Sequence, residues 1–104
     1  MAEPMKIRAR LAGDLLDLRV LTPHPMETGL RKDAQSGRPI APHFIQKISI
    51  ALNGTHVLEA QTGTAISRNP VFGFKLKGVK SGDKLSITWV DNRGDTRSDE
   101  TVVE

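Results

Sequence analysis

The sequence predicts an all-β fold, an immunoglobulin-like antiparallel β-sandwich of about seven strands. Three observations predict it. Apolar residues recur with period two in short runs along the chain, the spacing that places alternate side chains on one face of a strand. Turn signals at Gly13-Asp14, Asn53-Gly54, Gly78 to Asp83 and Asp91 to Asp95 separate those runs. The length, 104 residues, suits one domain spanning 1–104 and is too short for two.

The strands follow in order. Ile7, Ala9 and Leu11 share one parity against Lys6, Arg8 and Arg10. After Gly13-Asp14, Leu16, Leu18 and Val20 alternate with Asp17 and Arg19. Leu11, Leu15 and Leu18 also fit helical spacing, but Gly13 and the nearby prolines favour a strand. Further on, Phe44, Ile48, Ile50 and Leu52 share one parity, with Ile45, Lys47 and Ser49 on the other. Asn53-Gly54 marks a tight hairpin, because both residues tolerate positive φ, and Thr55 to Ala60 is its return strand. Gln61 to Pro70 reads as a polar loop. Phe72, Phe74 and Leu76 then alternate with Gly73, Lys75 and Lys77. Leu85, Ile87 and Trp89 alternate with Lys84, Ser86 and Thr88, which makes Trp89 a core anchor, and Thr96 to Val103 is the last strand. The run Phe44 to Leu52 is apolar and free of proline, so it is either central or pairs with another chain.

Composition narrows the function. Hydrophobic residues make up 38% and charged residues 26%, as in a globular domain rather than a disordered tail. The net charge of +3 and basic balance suggest nucleic acid, but the basic residues are interleaved with acids and no basic run carries aromatics for base stacking. The charge is therefore read as a solvated surface whose modest field can steer an anion or an acidic partner. There is no cysteine, so the chain has no thiolate to carry sulfur and no disulfide. No stretch approaches the roughly 20 apolar residues of a membrane span. The start of the chain lacks an apolar signal region, which by itself fits a cytoplasmic or a mature exported chain.

The long connection from Thr22 to Pro42 is the unusual segment. Structureless connections beyond about 12–15 residues are usually functional or disordered. This one holds Met26, Leu30 and Ile40 among its charges and is restrained by Pro23, Pro25, Pro39 and Pro42. Its mixture of imidazole (His24), thioether (Met26) and guanidinium (Arg31) suits a protein contact. A purely structural reading is also open: the prolines fix the exit from a strand, Gly29 supplies a turn and Met26 fills a gap beneath it.

The run His24-Pro25-Met26-Glu27-Thr28-Gly29-Leu30-Arg31-Lys32-Asp33 is long and rare in composition. With Pro42-His43-Phe44-Ile45, Asn53-Gly54, Ser67-Arg68-Asn69-Pro70, Gly82-Asp83 and Trp89-Val90-Asp91-Asn92-Arg93-Gly94, it resembles the SoxZ family from Lys6 to Val103. The resemblance implies the non-cysteine subunit of the carrier complex of thiosulfate oxidation, non-catalytic and without a cofactor. It implies a heterodimer with a cysteine-bearing SoxY-like carrier subunit of related fold, whose cysteine sits near the end of a flexible C-terminal arm. Sulfur intermediates on that cysteine would be presented to separate oxidation enzymes through transient contacts. It implies a periplasmic location as well, because family members typically lack a signal and are exported with the partner. On this reading the partner-binding residues are His24, Met26, Thr28, Gly29 and Arg31, with His43 and Phe44 as neighbours. Arg31 and Lys32 are candidates for a weaker contact with an anionic sulfur group. An isolated chain can also homodimerise through the same surface.

Other chemistry has little support. A copper site from His24, Met26 and His43 lacks a known ligand spacing, so no metal is expected. Ser67, Ser81 and Thr28 have no Gly-x-Ser-x-Gly elbow around them, and no phosphate loop or dinucleotide fingerprint is present. The alternatives to a carrier subunit are a stand-alone immunoglobulin-like binding or adhesion module and, less favoured, a His/Met metal-binding module. Nucleic-acid and membrane partners are not expected.

Overall fold

The computed structural model describes residues 4–62 and 69–104. Seven strands run in chain order: β1 (Lys6–Ala12), β2 (Leu15–Leu21), β3 (Ile45–Leu52), β4 (Thr55–Gln61), β5 (Val71–Lys77), β6 (Lys84–Asp91) and β7 (Thr96–Val102). They form two antiparallel sheets, one in the order β1-β2-β5 and one in the order β4-β3-β6-β7. The expected all-β sandwich is the architecture found. Part of the predicted Gln61 to Pro70 loop, with Ser67 and Arg68, lies outside the described residues.

The core comes from the strands that have neighbours on both sides. Leu16, Leu18 and Val20 of β2, Ile45, Ile48 and Ile50 of β3, and Leu85, Ile87 and Trp89 of β6 are all buried. Burying a side chain of this size contributes about 1.5–3 kcal/mol, so these central strands carry most of the packing energy. The edge strands bury their apolar parity only in part: Ile7, Ala9 and Leu11 on β1, Leu58 and Ala60 on β4, Phe72, Phe74 and Leu76 on β5. The segment 15–21 is a strand throughout, so the helical spacing of Leu11, Leu15 and Leu18 has no structural counterpart. The run from Ile45 to Leu52 is central, hydrogen-bonded to β4 on one side and β6 on the other.

One parity assignment changes. Ile45 and Ile48 are both fully buried although they are three residues apart. The register between β3 and β6 shifts between Ile45 and Lys47, and Gln46 is exposed. A bulge of this kind adds a residue to one strand and re-aims the side chains beyond it. Ile45 is thereby turned inward, while Phe44 is only half-buried. At the other end of β3, Asn53 and Gly54 take φ values of 51° and 84°, the two positive angles that a tight hairpin needs.

The edge strand β7 turns charge inward. Arg97 and Asp99 sit opposite Trp89 and Ile87 in the β6 register. They pair with each other, and Asp99 Oδ2 accepts the Met5 N–H at 2.9 Å. Inward-pointing charge on an edge strand disfavours edge-to-edge pairing with another chain.

Candidate functional site: a pinned loop over a His–Asp–His cluster

The long connection is a folded excursion. Glu27 and His43 exchange backbone hydrogen bonds at 2.6 and 3.0 Å. Farther out, Lys32 and Pro39 form a second bridge, and Ile40 N–H donates to Arg31 O at 2.8 Å. Asp33 closes the tip: its Oδ1 accepts the N–H groups of Gln35 and Ser36. The segment 27–43 is therefore an irregular hairpin. Residues 30–39 are exposed, and Leu30 is the most exposed large apolar residue among the described residues, at 89%.

Its base is held from three directions. Thr22 N–H and Oγ1 both donate to Pro70 O, and the Asn69 side chain accepts the His24 N–H at 3.0 Å. Asn92 bridges the other strand of the excursion, accepting the Phe44 N–H at 2.8 Å and donating to Pro42 O at 2.9 Å. Gly29 has φ +89°, and a Cβ there would meet Pro42 Cγ at 2.7 Å. That position demands glycine on both grounds. Met26 takes φ 49° and is buried, with its sulfur accepting the Ile45 N–H at 3.3 Å.

Beneath the hairpin lies a buried cluster. Asp91, at the inward-facing end of β6, is 2% exposed. Its Oδ2 receives His24 Nε2 at 3.0 Å and His43 Nε2 at 2.7 Å, and its Oδ1 accepts the N–H groups of Arg93 and Asp95 at 2.9 Å each. His24 lies edge-on to both His43 and Trp89, with centroids 4.5 and 5.1 Å away. The proton positions follow from these contacts. His24 Nδ1 accepts the Met26 N–H at 3.1 Å, so a neutral His24 carries its proton on Nε2 and donates it to Asp91. Protonating Nδ1 would set donor against donor.

The electrostatics agree with that assignment. Burial pushes the His24 imidazole below its ordinary value, opposed by the hydrogen bond to Asp91 and reinforced by His43. Burial alone would raise the Asp91 carboxyl, but the hydrogen bonds from His24, His43 and the two backbone N–H groups hold it below the usual carboxylate range. The cluster is one carboxylate clasped by two imidazoles, of which the buried His24 is neutral.

His24, His43 and Asp91 present ligand atoms within 4.8 Å of one another, the spacing a metal ion needs. The proton inventory fits an ion poorly. With Nδ1 engaged by the Met26 N–H, His24 has no free lone pair on Nε2 unless it gives up its proton or its backbone bond. The donor set already satisfies itself as a hydrogen-bond network.

The residues singled out in the sequence therefore divide. His24 and Met26 are buried beneath the loop, and His43 and Phe44 are half-buried at its base. Gly29 sets the close approach to Pro42. Thr28 and Arg31 are on the surface: Thr28 Oγ1 accepts the Leu30 N–H, and the Arg31 guanidinium pairs with Glu27. Lys32 is exposed beside them. Sequence reasoning missed Asp91 as the centre of the cluster and Asn69 and Asn92 as pins, reading Asn69 as part of a polar loop and Asp91 and Asn92 as part of a turn. A signal was available for one of them. Asp91 continues the inward parity of Leu85, Ile87 and Trp89, and a carboxylate in a buried parity requires partners.

Comparisons with known proteins place this geometry. Among solved structures, the hypothetical protein PH1083 from Pyrococcus horikoshii OT3 is similar with a TM-score of 0.70 and 21% identity, covering 99% of this chain and 89% of that one. A superoxide reductase in the oxidized state is similar with a TM-score of 0.67 and 21% identity, over 96% of this chain and 86% of that one. At that identity both likenesses establish the fold alone. No curated protein sequence matches. The family described as sulphur oxidation protein SoxZ matches residues 5–102, nearly the whole chain and including every residue of the loop and the cluster, and this protein belongs to the SoxZ family.

Proposed function

We propose that this protein is the non-catalytic subunit of a sulfur-carrier heterodimer in thiosulfate oxidation, and that the hairpin 27–43 is its principal contact element. Family membership, which assigns a role in sulfur oxidation, carries the proposal. The chain has no cysteine, so the sulfur must ride on a cysteine-bearing SoxY-like partner. The complex then works in the periplasm, where this subunit stabilises the partner and helps present its bound intermediates to the oxidation enzymes.

The loop's construction supports a contact role. Its backbone is tied at both bridges and braced by Asn69 and Asn92, so little ordering entropy is lost on association. In that arrangement His24, Met26 and Gly29 set the loop's shape from below, while Thr28, Leu30 and Arg31 meet the partner, with His43 and Phe44 at the margin. Arg31 is held by Glu27, which leaves Lys32 as the freer cation for an anionic sulfur group. The second reading, a stand-alone binding module, makes the same loop a recognition tip but requires no stoichiometric partner.

The test is a tagged pull-down from native cells grown on thiosulfate, with intact mass spectrometry of what co-purifies. The expected result is a one-to-one partner with a cysteine near its C-terminus and added sulfur-containing mass. Leu30→Asp or Arg31→Ala should reduce that recovery while leaving the melting temperature of the isolated chain unchanged, since exposed positions contribute little to stability. Recovery of this chain alone would overturn the proposal in favour of the stand-alone module.

A further inference from the structure

The two outer sheet faces differ sharply in charge. On the four-stranded sheet, Lys47 lies 4.0 Å from Glu59 and Lys84 lies 3.0 Å from Glu100, so cations there have carboxylate partners. On the three-stranded sheet, strand alternation sends Lys6, Arg8 and Arg10 of β1, Arg19 of β2 and Lys75 and Lys77 of β5 to the outside. Asp17 is the one carboxylate on that strand face. Six cations and one carboxylate leave this face at +5 on a chain of net charge +3, so the rest of the molecule is net −2. Among the described residues none of these cations has an ion-pair partner within 4.0 Å.

The register concentrates the charge. Arg8 stands directly opposite Arg19, an unfavourable like-charge pairing, and Arg19 stands opposite Gly73. Neighbouring strands are about 4.8 Å apart, well inside the screening length of about 8 Å at physiological salt, so their fields add. Gly73 has nothing within 4 Å of where a Cβ would sit, and a hollow of about 290 Å³ opens there, lined by Arg19, Lys75 and Asp17. A second hollow, of about 240 Å³, lies among Arg8, Arg10, Asp17 and Arg19. A carboxylate entering either hollow meets a guanidinium able to bind it through two parallel N–H bonds.

We propose that the outer face of the β1-β2-β5 sheet is a docking surface for an acidic protein, engaged transiently. This surface is separate from the hairpin and does not depend on the hairpin's role. A protein fits better than a nucleic acid for two reasons. No aromatic side chain faces outward here to stack a base. Asp17, which lines both hollows and repels any anion, accepts a donor from a protein that carries mixed charge, which a phosphate backbone cannot supply. The apolar fringe of Leu15 and Val71, 41% and 61% exposed, gives an acidic protein something to cover beyond charge. A surface dominated by unpaired charge favours rapid, salt-sensitive encounter over tight binding.

The test uses the full chain, purified with any stoichiometric partner, and fluorescently labelled poly-L-glutamate as the probe, read by anisotropy at low and physiological salt. The expected result is binding that weakens steeply with salt. Arg8→Glu with Arg19→Glu should weaken it roughly tenfold or more, whereas Lys47→Glu with Lys84→Glu, the same charge change on the other sheet, should leave it within about twofold. If the first double variant fails to fold, Arg8→Gln with Arg19→Gln tests the same point. Equal losses in both double variants would overturn the proposal, because net charge and not this face would then govern binding. Tighter binding of an oligothymidylate of matched charge would overturn it in favour of nucleic acid, and no binding of poly-L-glutamate at low salt would overturn it outright.

Discussion

Asp91→Asn perturbs one atom of the cluster and leaves its shape intact. The amide oxygen of asparagine can still accept the N–H groups of Arg93 and Asp95, as Asp91 Oδ1 does now. The amide nitrogen replaces Oδ2, the atom that receives both imidazoles. His24 cannot adapt by moving its proton, because its Nδ1 accepts the Met26 N–H and its ring is buried. The half-buried His43 can turn toward water or change tautomer. The loss is then one charge-assisted hydrogen bond at full cost and one at partial cost. Hydrogen bonds to charged groups contribute about 1.5–3 kcal/mol each, and a buried donor left facing a donor costs a comparable amount, so the destabilisation should be about 3 kcal/mol. For a domain of this size that lowers the melting temperature by more than about 10 °C. Thermal and urea unfolding of both proteins at neutral pH measure it, and ¹⁵N shifts of the His24 ring check the Nε2–H tautomer independently. A fall in melting temperature under about 4 °C, or a wild-type His24 protonated on Nδ1, would refute this account of the cluster.

Two further predictions concern the same region. Gly29→Ala should destabilise the domain by about 1–3 kcal/mol, because alanine disfavours φ +89° and its Cβ would press on Pro42 Cγ; urea unfolding measures this, and an unchanged midpoint would show that the loop yields freely. Stability should also fall in two acid stages. His24 has a lowered folded pKa, so below the unfolded value of about 6.5 the unfolded chain binds the proton first and stability declines as pH falls. Asp91 has a depressed folded pKa, so its stabilisation is present above an unfolded value of about 3.9 and is lost as pH falls through its folded value. Unfolding free energies across this range should show the upper stage removed in His24→Gln and the lower stage reduced in Asp91→Asn, with the remainder carried by Asp83 and Asp99, whose carboxyls are also held low. Persistence of both stages in both variants would assign them to other groups.

The strands and their turns were legible because their causes are local. A period-two pattern needs only the neighbours two residues away, and Asn53-Gly54 selects its turn by the φ values those two residues tolerate. The special status of the Thr22 to Pro42 connection was legible for the same reason, since four prolines and Gly29 constrain the backbone wherever it lies. The inward turn of Ile45 was not, because the bulge at Gln46 arises from pairing with β6 and has no mark in local alternation. The His24–Asp91–His43 cluster needs three segments that meet only when β6 ends beneath the base of the hairpin. The basic face needed the sheet order as well. Arg8 and Arg10, Arg19, and Lys75 and Lys77 stand far apart along the chain, and only the pairing of β1 with β2 and of β2 with β5 gathers them. Residue identity and local spacing were enough for the class of fold, the family and the absence of a thiol on this chain. Which charges gather unpaired and which carboxylate two imidazoles share emerged only with the folded chain, because electrostatic energy depends on distance in space, and chain separation does not set that distance.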